Sequence, residues 1–276
     1  MKRILVVEDD RANRYLLTHT LKSAGYDVST AGDGLLGLRR LRKETFDLVL
    51  LDIWMPRLNG LELLAKMREE GLNTKAVVMT SDDTSETMLH AVRQQAWQYL
   101  AKPVQLRELL HLVENALSSV PVPPIEVLSA IPDWVELLLP CERNTAQRIQ
   151  GFVARLDTGL PEDIRDNIGL VFHEMLMNAI EWGGKLDPNR KVRISFIRTR
   201  RSLMYRIADP GQGFRFDELA HAAVSYPVGL GAQSASVRQE KGLRAGGFGI
   251  LMARSLVDEL LYNEVHNEVL FLKYLD

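Results

Sequence analysis

The stretch FHEMLMNAIEW, residues 172–182, decides how the second half of this 276-residue chain folds. Apolar residues recur at helical spacing through and before it and predict one helix with a buried stripe, formed by Ile164, Ile168, Val171, Met175 and Ala179. Glu174 and Asn178 are four residues apart, so both side chains leave the same face of that helix. A carboxylate and a carboxamide on one such face can hold a metal-bound triphosphate next to a general base. An isolated E-x-x-x-N pair is more often a solvated polar face, so its meaning depends on the rest of the chain.

The composition, with 46% hydrophobic and 25% charged residues, is typical of a globular protein with two ordinary domains. The net charge of -2 argues against a strongly basic surface for nucleic acid. No apolar run approaches the roughly 20 residues that cross a bilayer, and the N-terminal apolar run is too short for a signal peptide. Cys141 is the single cysteine, which excludes an internal disulfide. We therefore expect a cytoplasmic protein that binds neither nucleic acid directly nor a membrane.

Residues 1–118 alternate short β-type runs with amphipathic helical segments. Strands are predicted at 4–7, 27–30, 48–51, 76–79 and 97–100, and helices near 11–24, 34–43, 60–70, 84–95 and 105–118. Five βα units predict an α/β doubly wound, flavodoxin-like domain with a five-stranded parallel sheet. In such sheets the functional crevice lies beyond the carboxyl ends of the strands.

Polar residues follow four of these strands. Glu8 and Asp9 follow the first, Asp52 the third, Thr80 the fourth and Lys102 the fifth. Carboxylates from two strand ends form the hard oxygen site that magnesium takes. The ammonium and the hydroxyl can both hold a phosphoryl group. The implied chemistry is attack of the Asp52 carboxylate on phosphorus, which gives an acyl phosphate.

With these residues, the DIWMP run at 52–56, Asn59-Gly60 and Lys102-Pro103, the whole first domain resembles the receiver domain of two-component response regulators. The resemblance implies that Asp52 accepts phosphate from a cognate histidine kinase and that the Lys102–Pro103 peptide is cis. It also implies that Tyr99 swings when Thr80 moves toward the phosphate.

Residues 119–133 are predicted to be a Pro-rich linker, because three prolines fall within 121–124. Within it, 125–133 is either linker or a docking segment. Residues 134–276 form the second predicted domain, an α+β two-layer sandwich. Its strands are predicted at 134–139, 192–197 and 203–208, its helices at 143–156, 164–182 and 248–257, and a closing hairpin at 258–264 and 268–274.

Two glycine clusters punctuate this second domain: DPGQGF at 209–214 follows a strand, and GGFGI at 246–250 precedes a helix. Glycines let the backbone approach a ligand closely, and amides at a helix start can hold phosphates. Asp209 at the strand end can accept a hydrogen bond from an exocyclic amine such as that of adenine. The ordered set is E-x-x-x-N on a helix, D-x-G-x-G after a strand, and G-x-G at a helix start.

This ordered set resembles the GHKL (Bergerat) ATP-binding fold of histidine kinases, gyrase-type ATPases and anti-sigma-factor serine kinases, and its layout is most like the last. The resemblance implies that Asn178 holds the magnesium of ATP, that Asp209 reads adenine and that Glu174 is the general base for a serine or threonine hydroxyl. It also places four glycines at the border of the nucleotide: Gly211, Gly213, Gly247 and Gly249.

The chain departs from this family's pattern at two places. Many members carry a histidine four residues after the asparagine, where Trp182 stands here. The span 214–245 is long and rich in small residues, which suits either a mobile lid or a surface loop.

The resemblances imply a response regulator whose output domain is an ATP-dependent protein serine/threonine kinase. Its partners are then an anti-sigma antagonist (anti-anti-sigma) protein, a sigma factor, or both, and related kinase domains often pair as homodimers. Two alternatives stay open: a catalytically weak ATP-binding module that sequesters a partner, and an atypical hybrid histidine kinase. The hybrid kinase is disfavoured because neither His90 nor His111 lies on a long dimerising helix.

Overall fold

The computed structural model describes residues 1–81, 84–118, 123–156, 160–214 and 249–275. The chain forms two compact units, Met1–Pro121 and Val122–Asp276. No helix of the described residues is long and apolar enough to span a membrane.

The first unit contains a five-stranded parallel sheet in the order β2-β1-β3-β4-β5. Its strands are β1 (Arg3–Val7), β2 (Asp27–Ala31), β3 (Leu48–Asp52), β4 (Lys75–Thr80) and β5 (Gln98–Ala101). Its helices are α1 (Arg11–Ser23), α2 (Gly34–Lys43), α3 (Gly60–Glu69), α4 (Ser85–Arg93) and α5 (Leu106–Ser118). The predicted doubly wound architecture is confirmed.

Both faces of this parallel sheet are buried, which is why its central strands are continuous apolar runs rather than alternating ones. Leu5 and Leu51 face one hydrophobic cluster, whereas their neighbours Ile4 and Leu50 face the other. Polar side chains begin helices at the carboxyl edge: Asp10 caps α1 and Asn59 forms a capping box at α3. The loops that carry the predicted phosphorylation site are therefore held between strand ends and helix starts.

The second unit contains a six-stranded antiparallel sheet in the order β10-β11-β9-β8-β7-β6. Its strands are β6 (Glu126–Ile131), β7 (Trp134–Pro140), β8 (Lys191–Arg198), β9 (Ser202–Ala208), β10 (Glu259–Tyr262) and β11 (Glu268–Tyr274). Its helices are α6 (Arg143–Leu156), α7 (Glu162–Asn178) and α8 (Gly249–Leu256), with a π-helical segment at Ala179–Gly183. The predicted α+β sandwich is confirmed.

One face of this sheet is apolar and packs against α7. Tyr205 lies at its centre and is stacked on Phe271 with a 4.9 Å centroid distance. Phe196 contacts the same ring from the neighbouring strand at 5.0 Å, and Phe172 of α7 at 5.8 Å. This aromatic group fixes α7, the helix that carries Glu174 and Asn178, on the sheet.

Two boundaries differ from the sequence-based expectation. Glu126–Ile131, placed in the predicted linker, pairs antiparallel with Trp134–Pro140 as the edge strand of the sheet, so the second unit begins before residue 134. A bulge between Val127 and Ser129 breaks the alternation that would have indicated a strand. The helix predicted over 164–182 is α-helical only to Asn178 and continues as the π-helical segment.

Candidate functional site

The carboxyl edge of the first sheet holds an acidic crevice formed by Glu8, Asp9, Asp52 and Lys102. One carboxylate oxygen from each of the three acids lies within 4.8 Å of the others. Glu8 and Asp52 are buried, whereas Asp9 is exposed. The parallel topology brings β1 and β3 side by side, so their carboxyl ends place these acids together, as the sequence predicted.

Lys102 bridges the buried acids. Its Nζ lies 2.9 Å from Glu8 Oε2 and 2.9 Å from Asp52 Oδ1. The Lys102 backbone N–H donates to the carbonyl oxygen of Thr80 at 2.8 Å, which fixes the loop after β5 against the end of β4. The Lys102–Pro103 peptide is cis, as the resemblance implied.

Burial dominates the electrostatics of the acidic crevice. It raises the pKa of Glu8 and of Asp52, and Lys102 opposes both shifts. Burial lowers the pKa of Lys102, but contacts with the two carboxylates outweigh it and raise that pKa overall. Three carboxylates against one ammonium leave excess negative charge on hard oxygen ligands. These residues therefore fit a magnesium ion.

The chain at Asp52 packs closely against Gly60, the first residue of α3. A Cβ at Gly60 would lie 2.2 Å from the carbonyl oxygen of Asp52, so only glycine fits there. The Gly60 N–H donates to the carbonyl oxygen of Ile53 at 2.8 Å. Thr80 is buried at the end of β4, and Tyr99 on β5 is half-buried. Thr80 therefore ends the strand next to β3, and Tyr99 lies on the strand after it; their roles toward a phosphoryl group at Asp52 stay predictions.

Two arginines of the first unit were not identified from the sequence. Arg14 donates to the carbonyl oxygens of Glu8 and Asp9, at 2.6 and 3.0 Å, and so fixes the loop that presents them. Arg57, with φ of 74°, forms an ion pair with the buried Asp33. The contact of Arg57 with Asp33 has no local sequence signal, because it joins two loops that are 24 residues apart, whereas Arg14 reaches back only five and six residues.

In the second unit, Glu174 lies against the first residue of α8. A Cβ at Gly249 would lie 2.5 Å from Glu174 Oε2. The glycine therefore permits the close packing of α7 against the start of α8. A half-buried carboxylate thus lies against the first described residue of a helix, and helix N-termini are positions that bind phosphate.

Asp209 follows β9 and is enclosed by glycines. Its Oδ1 accepts a hydrogen bond from the Gly211 N–H at 2.7 Å. A Cβ at Gly183 would lie 2.1 Å from the same oxygen, and one at Gly211 would lie 2.9 Å from the Gly183 Cα. Burial raises the pKa of Asp209, and the Gly211 N–H opposes the shift. The last residue of the π-helical segment therefore fixes this carboxylate.

The loop that begins at Asp209 is anchored to the turn between β10 and β11. The Asp209 N–H donates to the Asn267 carbonyl oxygen at 2.8 Å, and Asn267 Nδ2 donates to the Gly211 carbonyl oxygen at 3.1 Å. Gly213 has φ of +81°, and a Cβ there would lie 1.6 Å from the carbonyl oxygen of Val265. No local sequence pattern indicates these contacts, because the two loops are more than 50 residues apart.

An aromatic cluster formed by Phe214, Tyr262 and His266 lies next to the loop that follows Asp209. Phe214 stacks on His266 at 5.3 Å and meets the edge of Tyr262 at 5.6 Å. The Tyr262 hydroxyl donates to the sulfur of Met175 at 3.6 Å, and burial raises the pKa of Tyr262 to about 12. This group connects α7 to the loop after Asp209.

The remaining expected residues are only partly located. Asn178 is half-buried at the last position of α7, one turn beyond Glu174, and Trp182 is half-buried in the π-helical segment. Gly247 and nearly all of the long span predicted as a lid or surface loop lie outside the described residues.

Comparison with known proteins matches each unit to a different family. Residues 4–114 match the family model of the response regulator receiver domain, and residues 140–273 match that of the histidine kinase-like ATPase domain.

Two curated relatives are similar to part of the chain. The DNA-binding transcriptional regulator NtrC of Azospirillum brasilense is 35% identical over 203 residues, covering 73% of this chain and 42% of that protein. The response regulator MprA of Mycobacterium leprae (strain TN) is 39% identical over 115 residues, covering 42% of this chain and 50% of that protein. The chain spans about half the length of the curated relatives it matches.

Solved structures also match part of the chain. They include the receiver domain of the Francisella response regulator 1452, with 26% identity and a TM-score of 0.41 over 42% of this chain and 97% of that one. A CheY-like receiver domain protein from Methanospirillum hungatei JF-1 has 33% identity and a TM-score of 0.41 over 42% of this chain and 94% of that one. Taken with the geometry of the two sites, the family matches show that this chain combines a response regulator receiver domain with a histidine kinase-like ATPase domain.

Proposed function

We propose that the chain is a response regulator whose output domain is an ATP-dependent protein serine/threonine kinase of the anti-sigma-factor type, controlled by phosphorylation of Asp52. The observation that carries the proposal is the contact of Glu174 with Gly249, which sets a carboxylate beside the helix start where phosphates would bind. The transcriptional role in the name of NtrC is not proposed for this chain, because residues 140–273 match an ATPase family.

In the first unit, a carboxylate oxygen of Asp52 attacks the phosphorus of a phosphohistidine on the cognate histidine kinase. An oxygen–phosphorus bond forms, the nitrogen–phosphorus bond breaks and the imidazole leaves. Lys102, 2.9 Å from Asp52, can then transfer its contact to a phosphoryl oxygen, with the Thr80 hydroxyl as a second donor. Glu8, Asp9 and Asp52 would hold magnesium, which neutralises charge on the phosphoryl group.

In the second unit, Asp209 accepts a hydrogen bond from the adenine amine, and Gly211, Gly213 and Gly249 border the nucleotide. Asn178 would hold the magnesium of ATP. Glu174 takes the proton from a serine or threonine hydroxyl, whose oxygen bonds to the γ-phosphorus as the bond to ADP breaks. General-base help of this kind contributes roughly 10²- to 10⁴-fold, and positioning with charge neutralisation supplies the rest.

The protein substrate in this proposal is a small anti-sigma antagonist, and the second unit also sequesters a sigma factor. Phosphorylation of Asp52 then couples a two-component signal to partner switching. The proposal includes pairing of two kinase units as a homodimer.

Trp182 supports a second candidate, a catalytically weak ATP-binding module. Its half-buried indole occupies the place of a histidine that many serine kinases of this family carry, directly before Gly183. In that case ATP is a structural ligand, and the unit holds a partner protein without phosphorylating it.

Transfer assays separate the two candidates. Full-length protein is incubated with radiolabelled ATP, magnesium and a candidate antagonist protein, with and without acetyl phosphate. The kinase proposal expects acid-stable phosphoserine or phosphothreonine on the antagonist, lost in Glu174→Gln while ATP still binds.

The matched control is Glu136→Gln, a buried carboxylate on the opposite face of the sheet that pairs with Arg193 at 2.8 Å. It should leave transfer unchanged. Partner binding with no transfer by the wild type would instead establish the weak ATP-binding module. Acid-labile phosphohistidine would overturn both candidates.

A further inference from the structure

A π-helical segment, Ala179–Gly183, lies between Asn178 and the enclosure of Asp209. Such segments are rare and are frequently found at functional sites. The described neighbours of this segment show what stabilises it here.

The side chain of Glu181 points from this segment into the protein interior. It is 0% exposed, and both carboxylate oxygens are buried. The Nε of Arg143, the first residue of α6, lies 3.6 Å from Oε1. Burying a carboxylate is costly unless a cation or hydrogen-bond donors compensate it. The contact therefore ties the π-helical segment to the start of α6.

Gly183, the last residue of the segment, and Gly184, the residue after it, also make close contacts. A Cβ at Gly184 would lie 2.2 Å from the sulfur of Cys141, two residues before α6. Burial raises the pKa of Cys141 to about 11, so this thiol is a neutral packing group. Gly183 lies against Asp209 Oδ1. Contacts thus run from the start of α6, through the π-helical segment, to the carboxylate of Asp209.

We infer that Glu181 is a positioning residue for base selectivity, which holds Gly183 against Asp209 so that this carboxylate meets the amine of adenine. Adenine presents a donor amine where guanine presents a carbonyl oxygen, so a fixed carboxylate favours ATP over GTP. The inference rests on the base-reading role proposed for Asp209 and does not require transfer to a protein.

Nucleotide binding to full-length protein tests this inference by calorimetry with magnesium and either ATP or GTP. Glu181→Gln keeps the size of the side chain but removes the charge that attracts Arg143. We expect ATP to bind about 5- to 10-fold more weakly and GTP to change by less than about twofold. Arg143→Met removes the half-exposed cation beside Glu181. This variant should likewise lower the ratio of ATP affinity to GTP affinity.

Double variants identify the route of the effect. If Glu181 acts through Asp209, adding Glu181→Gln to Asp209→Asn should give no further loss of ATP affinity. The control Glu136→Gln should leave the ratio of ATP to GTP affinity unchanged, although it also alters a buried carboxylate of this unit.

Equal losses of ATP and GTP affinity, or full additivity with Asp209→Asn, would assign Glu181 a purely structural role and overturn the inference. If Asp209→Asn itself leaves ATP affinity unchanged, the base-reading part of the proposed function fails, and the inference fails with it. Absence of kinase activity would leave these binding results intact.

Discussion

Replacing Gly183 with alanine tests whether close packing at the π-helical segment sets the nucleotide site. The new Cβ would lie 2.1 Å from Asp209 Oδ1, whereas real Cβ atoms essentially never approach another atom within 3.0 Å. The two groups must therefore separate by about 0.9 Å or more. A shift of that size along the 2.7 Å bond from the Gly211 N–H would stretch it beyond hydrogen-bonding distance.

The expected loss of ATP affinity follows from the hydrogen bond between Asp209 and the adenine amine, which the displaced carboxylate no longer makes. A hydrogen bond to a charged group contributes about 1.5–3 kcal/mol, so its loss corresponds to roughly 10- to 150-fold weaker binding of ATP. Calorimetric titration of full-length Gly183→Ala with ATP and magnesium measures this loss directly.

The matched control is Gly169→Ala on α7, where a Cβ meets no atom within 4 Å. It should keep wild-type ATP affinity and stabilise the helix by up to about 1 kcal/mol, because alanine favours helix over glycine. If folded Gly183→Ala binds ATP within twofold of the wild type, the packing of Gly183 against Asp209 does not position that carboxylate for nucleotide.

Three predictions concern the acidic crevice. Acetyl phosphate should phosphorylate the wild type but not Asp52→Asn. The rate should fall as the pH is lowered toward the pKa of Asp52, which burial raises above the ordinary 3.8, because the attacking carboxylate must be ionised. A midpoint at or below 3.8 in the rate–pH profile would contradict this prediction. Burial raises the pKa of Glu8, so its carboxyl group binds a proton more tightly in the folded state than in the unfolded state. The ionised Glu8 therefore destabilises the fold at a pH above this raised pKa, and the destabilisation is relieved as the pH falls. Glu8→Gln should therefore raise the melting temperature of the first unit at pH 7 by calorimetry and raise it less near pH 4; an equal gain at both would show that charge burial is not the cause. Magnesium should change the fluorescence of the exposed Trp54, two residues after Asp52, and this response should be absent in Trp54→Phe and in Asp9→Asn; a full response in Asp9→Asn would remove Asp9 from the magnesium site.

The receiver site was predictable from sequence because its residues mark the ends of strands in one parallel sheet. Apolar runs locate the strands, and parallel topology brings their carboxyl ends to one edge, so Glu8, Asp9, Asp52 and Lys102 must converge. In the second unit, the helical spacing alone predicts that Glu174 and Asn178 lie on one face of α7.

Other features depended on tertiary structure. Strand β6 escaped prediction because its bulge at Val127/Ser129 and preceding prolines hide the alternation, and pairing with β7 is what makes it a strand. The π-helical segment has no compositional signature, and its contacts through Glu181 with Arg143 and through Gly184 with Cys141 form only in the folded chain.

The sequence by itself determined the fold classes of the two domains and indicated which residues could carry chemistry, because periodicity and strand-end position are local properties of the chain. Only the tertiary structure decided how Asp209 is enclosed. Its neighbours Gly183 and Asn267 come from distant segments that meet when α7 packs on the sheet and the last hairpin pairs with β9. Contacts between residues so far apart depend on packing and strand register, which no local pattern encodes.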